Sequence, residues 1–289
     1  MAFRNRPTFF VIGAQRAGTT RLCHLLDRHP EIAIPTKEPF YFQDPAAMET
    51  KRDWYESLFA NAPRASIYGE GSTYYSMCES YPGTAQRIHD FHPGAKIVYM
   101  VRHPLRRIES AWYQLLSTRE IGGLKTFKHA ILDSDLLIEP TLYWRQLSEY
   151  RRFFPDTQIF VGVFEDFARD EDALLRPLLR FLGVDDRIVP AADAEAAFNE
   201  SASKLQPWLV VDLIKSVPGY QSFKHVVPEP MRALIGDRLQ KPIRVQPAWD
   251  AELVEYVVAR VGEDAHSLLE HLGLSPTHWD LYDVPVAAA

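Results

Sequence analysis

FFVIGAQRAGTT, Phe9 to Thr20, is an apolar run that stops at a glycine, turns through polar residues and resumes as a helix start. Thr8 to Gly13 reads as a short buried strand, and Thr19 to Asp27 as a helix stopped near Pro30. Gly13 and Gly18 have the separation of the nucleotide-binding pattern GxxxxGKS or GxxxxGKT, but Thr19 stands where that pattern has lysine. Turns of this kind, between strand and helix, present backbone N–H groups to phosphate. Arg16 adds a planar, permanently charged fork, and Thr19 and Thr20 add further donors. By itself the stretch also fits a plain tight turn with Arg16 in solvent.

Working outward, strands alternate with helices over the first 165 residues, the pattern of a parallel sheet covered on both faces. Ile32 to Ile34, Ile67 to Gly69, Lys96 to Val101 and Gln158 to Phe164 are the further strand candidates. Pro104 opens a helix running to about Thr118, where its missing N–H is harmless. Beyond Glu165 helices dominate: an amphipathic one over Asp170 to Leu182 with Gly183 as C-cap, a loop-rich stretch over 183–204 with an alanine-rich helical fragment, and one or two helices over Ala251 to Leu272. The expected fold class is therefore α/β, a P-loop-containing three-layer fold with a central parallel sheet flanked by helices and a helical C-terminal region. One domain over 1–289 is expected, with the α/β core at about 7–182 and the helical part at about 183–289.

With 46% hydrophobic and 24% charged residues the 289-residue chain has an ordinary globular composition. A net charge of -6 argues against a dedicated nucleic-acid partner, though not against a local basic pocket. Cys23 and Cys78 are the two cysteines, with no spacing suited to zinc, so disulfide staples and a metal site are not expected. The apolar run Phe9 to Ile12 is too short for a signal peptide, and no stretch approaches ~20 apolar residues, so a cytoplasmic protein without stable membrane insertion is expected.

A second basic cluster lies in VRHPLRRIESAWYQL, Val101 to Leu115, with Arg102 at a strand end and Ser110 two turns into the next helix. Arg106 and Ser110 are four apart and share a helix face, placing an arginine and a hydroxyl where a second phosphate would bind at the carboxyl edge of a parallel sheet. Read alone, Arg106 and Arg107 fit a solvated helix surface. The missing lysine in the first loop has a chemical reading as well: a terminal phosphoryl group carries roughly two charges and needs lysine with magnesium. A sulfuryl group carries about one fewer, so arginine, hydroxyls and helical amides suffice.

Taken together, these motifs resemble those of the sulfotransferase superfamily that uses 3'-phosphoadenosine 5'-phosphosulfate (PAPS), in the branch holding the heparan sulfate N- and O-sulfotransferases and bacterial relatives. FFVIGAQRAGTT resembles the family's 5'-phosphosulfate loop and VRHPLRRIESAWYQ its 3'-phosphate motif RxPxxRxxSxY; KEPFYF, DWYESLF, FEDF and LLEHLGLSPTHW agree in order and spacing. The resemblance implies that Arg16, Ala17, Gly18, Thr19 and Thr20 hold the 5'-phosphosulfate, that Arg102 and Ser110 hold the 3'-phosphate, and that Lys204 closes over it. It implies Glu38 as the base, with Lys37 and Arg16 stabilising charge, adenosine 3',5'-bisphosphate (PAP) as product, no metal, and a small-molecule or glycan acceptor. Two departures stand out: Arg16 replaces the usual lysine, and Gly71 stands where heparan-type members often carry a second active-site lysine, a loss that Lys37 would offset.

Outside the resemblance, Lys37-Glu38 reads as an exposed charged turn before Pro39. Glu70 and Glu165 are expected in structural salt bridges at strand ends, and the aromatic residues Phe40, Tyr41, Phe42, Trp54, Tyr55, Tyr74 and Tyr75 divide between core and acceptor cleft. Two other classes remain open: a P-loop small-molecule kinase or hydrolase, and an inactive nucleotide- or carbohydrate-binding module.

Overall fold

In a computed structural model, residues 5–118, 126–190, 205–207, 240–242 and 246–283 are described. Lys204 and the alanine-rich fragment lie outside them. Five parallel strands form the central sheet: β1 Phe9–Gly13, β2 Ile32–Ala33, β3 Ile67–Gly71, β4 Lys96–Val101 and β5 Ile159–Val163, in the order β2-β3-β1-β4-β5. Every residue of β1 is buried, as a strand covered on both faces requires. The flanking helices are α1 Thr19–Asp27, α2 Pro45–Thr50, α3 Arg52–Ala60, α4 Thr84–Phe91, α5 Pro104–Thr118, α6 Phe127–Leu132, α7 Tyr143–Arg151, α8 Phe164–Arg169, α9 Glu171–Leu182 and α10 Ala251–His271.

The expected elements are present, with small differences at their ends. β3 runs two residues past Gly69 because Val11 and Gly71 pair in register, and β5 is shorter than expected because residues Asp156–Gln158 form a 3-10 turn. The C-terminal helix is single, and Gly273 follows its cap with φ +67. Within the helical region an antiparallel pair, β6 Leu205–Pro207 and β7 Gln240–Pro242, was not expected; three-residue strands leave too little periodicity to read.

Helix α10 is tied to the sheet region through a cap. The Asp264 carboxylate accepts the N–H groups of Trp144 at 2.9 Å and Arg145 at 2.8 Å, closing the exposed amino end of α7. Trp279, buried beyond α10, packs its ring 5.9 Å from Tyr143 and donates its indole N–H to Glu165 at 3.3 Å. Among the described residues, no helix is long and apolar enough to cross a membrane.

Because β1 lies between β3 and β4, the chain leaves it toward one side and returns on the other. Such a reversal opens a crevice at the carboxyl end of the strand, which is where the Gly13 to Thr20 turn sits.

Candidate active site

The turn after β1 is held in one shape by its neighbours. Gly18 caps α1 in the left-handed region, φ +82, and a Cβ there would lie 2.7 Å from the Phe164 ring, so only glycine fits. No side chain caps α1, leaving its first N–H groups directed into the crevice. Arg16, also left-handed at φ 71, does not extend into solvent: its Nε donates to Ser110 Oγ at 3.0 Å and its Nη1 to Gln114 Oε1 at 3.4 Å. Arg102 donates to the Arg16 carbonyl at 3.2 Å and lies over the Phe164 ring at 4.5 Å. Arg16 and Ser110, assigned by resemblance to opposite ends of one ligand, thus touch each other.

Arg16, Arg102 and Arg107 lie within one another's electrostatic field, with Glu38, Glu165 and Glu109 opposing them. Burial, then repulsion from Arg102 and Arg107, pulls Arg16 down to about 10, against the attraction of Glu38. Arg102 is lowered by burial with Glu165 opposing, and Arg107 falls to about 10, again through burial. Arg107 is fully buried, with Nε on Thr141 Oγ1 at 2.8 Å and Nη2 on the Leu137 carbonyl, so the solvated-surface reading fails for it. Arg106 differs: it pairs with Glu109 and the Asp283 carbonyl, turned away from Ser110 despite the shared helical spacing. Arg102 Nε and Arg107 Nη1 are buried without a hydrogen-bond partner; Arg107 is sealed in the core, whereas Arg102, on the Arg16 carbonyl, stands beside the phosphate turn.

On the opposite side of the turn lies the Lys37-Glu38 pair. Lys37 bridges Gly71 in parallel fashion, and Glu38 donates its N–H to the Gly71 carbonyl at 2.6 Å. Lys37 Nζ donates to Thr20 Oγ1 at 2.8 Å and to Glu38 Oε1 at 3.2 Å; the same carboxylate oxygen accepts from Thr73 Oγ1 at 3.0 Å. The pair is therefore anchored to the Thr20 hydroxyl of α1 and to Thr73 and only partly exposed, not a free charged turn. At Gly71 a Cβ would stand 2.7 Å from Cys23 Sγ and 3.8 Å from Lys37 Cγ, so Cys23 and the Lys37 stem occupy the path of any side chain there. Burial pushes the Cys23 thiol up to about 12, which leaves it unreactive.

The aromatic set divides cleanly. Tyr41, Phe42, Tyr55 and Tyr75 are buried core, whereas Phe40 stacks on Tyr74 at 5.0 Å and Tyr74 on Tyr81 at 5.8 Å, a half-buried row starting two residues from Glu38. Trp54 is exposed on α3. Gln114, Thr73, Tyr81 and Arg107 extend the expected site. Gln114 lies four residues after Ser110 and its face could have been read from helical spacing; Thr73 follows a strand end with no local signal. Glu165 and Glu70 do not make the expected salt bridges: Glu165 accepts the His103 N–H at 3.0 Å and the Trp279 indole, and Glu70 meets hydroxyl groups.

The sulfotransferase family model matches residues 7–73 and 73–187, more than half of the chain, and the protein belongs to that family. Among curated relatives it is similar to human heparan sulfate glucosamine 3-O-sulfotransferase 6, 26% identical over 63% of this chain and 53% of the relative. It is similar too to mouse heparan sulfate glucosamine 3-O-sulfotransferase 3B1, 27% identical over 68% and 50% respectively. The chain thus spans about half the length of these relatives. Among solved structures, a sulfotransferase from Alicyclobacillus acidocaldarius superposes with a TM-score of 0.66 at 26% identity, over 95% of this chain and 98% of that one.

Proposed function

We propose that this chain is a PAPS-dependent sulfotransferase that moves the sulfuryl group to a hydroxyl or amine of a small-molecule or glycan acceptor. Residues Arg16 to Thr20 would hold the 5'-phosphosulfate, and Arg102 with Ser110 the 3'-phosphate; the meeting of Arg16 and Arg102 at the turn favours a ligand of high negative charge. Arg16, bonded to Ser110 and within the field of Glu38, would serve both ends. The observation that carries the reading is the Lys37 ammonium, which hydrogen bonds at once to the candidate base and to Thr20 of the phosphate turn.

In this scheme Glu38 takes the acceptor's proton while the acceptor oxygen or nitrogen bonds to sulfur and the bond from sulfur to the bridging phosphate oxygen breaks. Lys37, Thr20 and the first N–H groups of α1 offset the charge on the departing PAP phosphate. Lys37 stands in for the cation missing at Gly71. The Phe40, Tyr74 and Tyr81 row lies beside the base and would present an apolar face to the acceptor. We read the chain as one domain, since Asp264 of the C-terminal helix caps α7.

Glu38→Gln tests the assignment. PAP should still raise the melting temperature of the variant, and ATP with magnesium should not, while transfer from labelled PAPS to a panel of phenols, sugars and amines falls about 10²- to 10⁴-fold. Wild-type transfer by this variant would refute Glu38 as the base.

A further inference from the structure

Glu70 is the residue before Gly71 on β3, and its side chain is fully buried. Three hydroxyls surround it: Tyr55 on Oε2, Ser72 on Oε1 at 3.0 Å, and Tyr75. Each of those residues reaches the KEPFYF segment. Ser72 Oγ accepts the Phe40 N–H at 3.3 Å, the Tyr75 hydroxyl accepts the Phe42 N–H at 3.1 Å, and the Tyr55 ring stacks on Tyr41 at 4.0 Å with 5° between planes.

The direction of these bonds matters. A hydroxyl has one proton, and a carboxylate accepts only. When Glu70 is ionised the Ser72 proton is committed to it, and Ser72 Oγ, like the Tyr75 hydroxyl beside it, turns a lone pair toward the Phe40 and Phe42 N–H groups. That orientation is needed because Glu38 and Phe40 have φ of 59 and 53, a left-handed backbone that is unfavourable for non-glycine residues and persists only where surroundings enforce it. Burial also pushes the Glu70 carboxyl up to about 7, against the three hydroxyl bonds, so the group is expensive to keep where an apolar residue would pack.

We infer that Glu70 is a positioning residue for Glu38: through the Ser72 and Tyr75 hydroxyls it fixes the backbone of residues 40–42 and so holds the base in its left-handed conformation. The inference rests on the reading of Glu38 as base. Substituting Glu70 relaxes the segment without touching the arginine cluster, so donor binding and turnover separate.

The test is Glu70→Ala, with PAP affinity read by calorimetry and turnover read as PAP released from PAPS, using an acceptor from the panel or, where none reacts, water. We expect kcat to fall about 10²-fold with PAP affinity unchanged, and Glu70→Ala to cost nothing further on the Glu38→Gln background. Ser72→Ala combined with Tyr75→Phe leaves Glu70 in place and should reproduce the kcat loss, which keeps the inference testable if Glu70→Ala does not fold. A matching loss of PAP affinity, or losses from Glu70→Ala and Glu38→Gln that multiply, would overturn it. Were Glu38→Gln itself to turn over at the wild-type rate, the base assignment and this inference would fall together; a slow Glu38→Gln with multiplying losses sinks the positioning role alone.

Discussion

Arg16 and Gly71 are the two positions read from the sequence as departures from the motif it resembles, and the structure gives each a physical setting. Arg16 contacts Ser110 and Gln114 through two separate nitrogens of its planar fork. Arg16→Ala should weaken PAP binding by about 10- to 100-fold, the range for losing hydrogen bonds to a charged group, and titration calorimetry checks it. Gly71→Lys, the apparent reversion toward the family, should instead destabilise the fold. Its Cβ would press on Cys23 Sγ in a closed part of the core, an overpacking that costs about 1–3 kcal/mol in urea unfolding. Combining it with Cys23→Ala should recover part of that loss.

Among the elements, the connection between α10 and α7 is the one whose removal separates the two parts of the molecule most directly. Asp264 serves as a cap supplied from another helix, and burial lifts its carboxyl to about 6 against the pull of the N–H groups it accepts. Asp264→Ala should cost about 1–2 kcal/mol of unfolding free energy, within the range for lost caps, and should raise amide exchange at the start of α7 before the strands are affected. No local pattern announces this cap, because its donor and acceptor lie 120 residues apart. The capped ends of α9 and α10, by contrast, follow from Asp170 and Asp250 directly before each helix, whose side chains accept from Ala173 and Leu253.

Across the whole molecule, Glu70 couples stability to pH. Its carboxyl is raised from 4.5 to about 7, so the folded state favours the protonated form. The contribution is fully present below pH ~4.5 and is lost as pH rises through about 7. Histidines lowered by burial, His92 and His103, act in the opposite sense over part of that range, so the difference between wild type and Glu70→Gln is the measurable quantity. Relative to Glu70→Gln, the wild type should lose roughly 3 kcal/mol between pH 4.5 and 8, read from urea unfolding at several pH values. A difference that stays flat over this range would mean that Glu70 titrates normally.

The order of strands and helices was legible in the sequence because each element declares itself locally: an apolar run ending at Gly13, a helix opening at Thr19, another at Pro104, a glycine stop at Gly183. The Gly13 to Thr20 turn and the Lys37-Glu38 pair could be picked out as candidates too, since both are short contiguous motifs. What only the tertiary structure decided is which of these groups meet. Arg16 turning to Ser110, Arg107 sinking into the core while its neighbour Arg106 stays outside, and Glu70 reaching the segment around Glu38 through hydroxyls all depend on contacts between distant segments. Such contacts are set by sheet order and by the burial of charge, and neither quantity has a signature within a window of ten or fifteen residues.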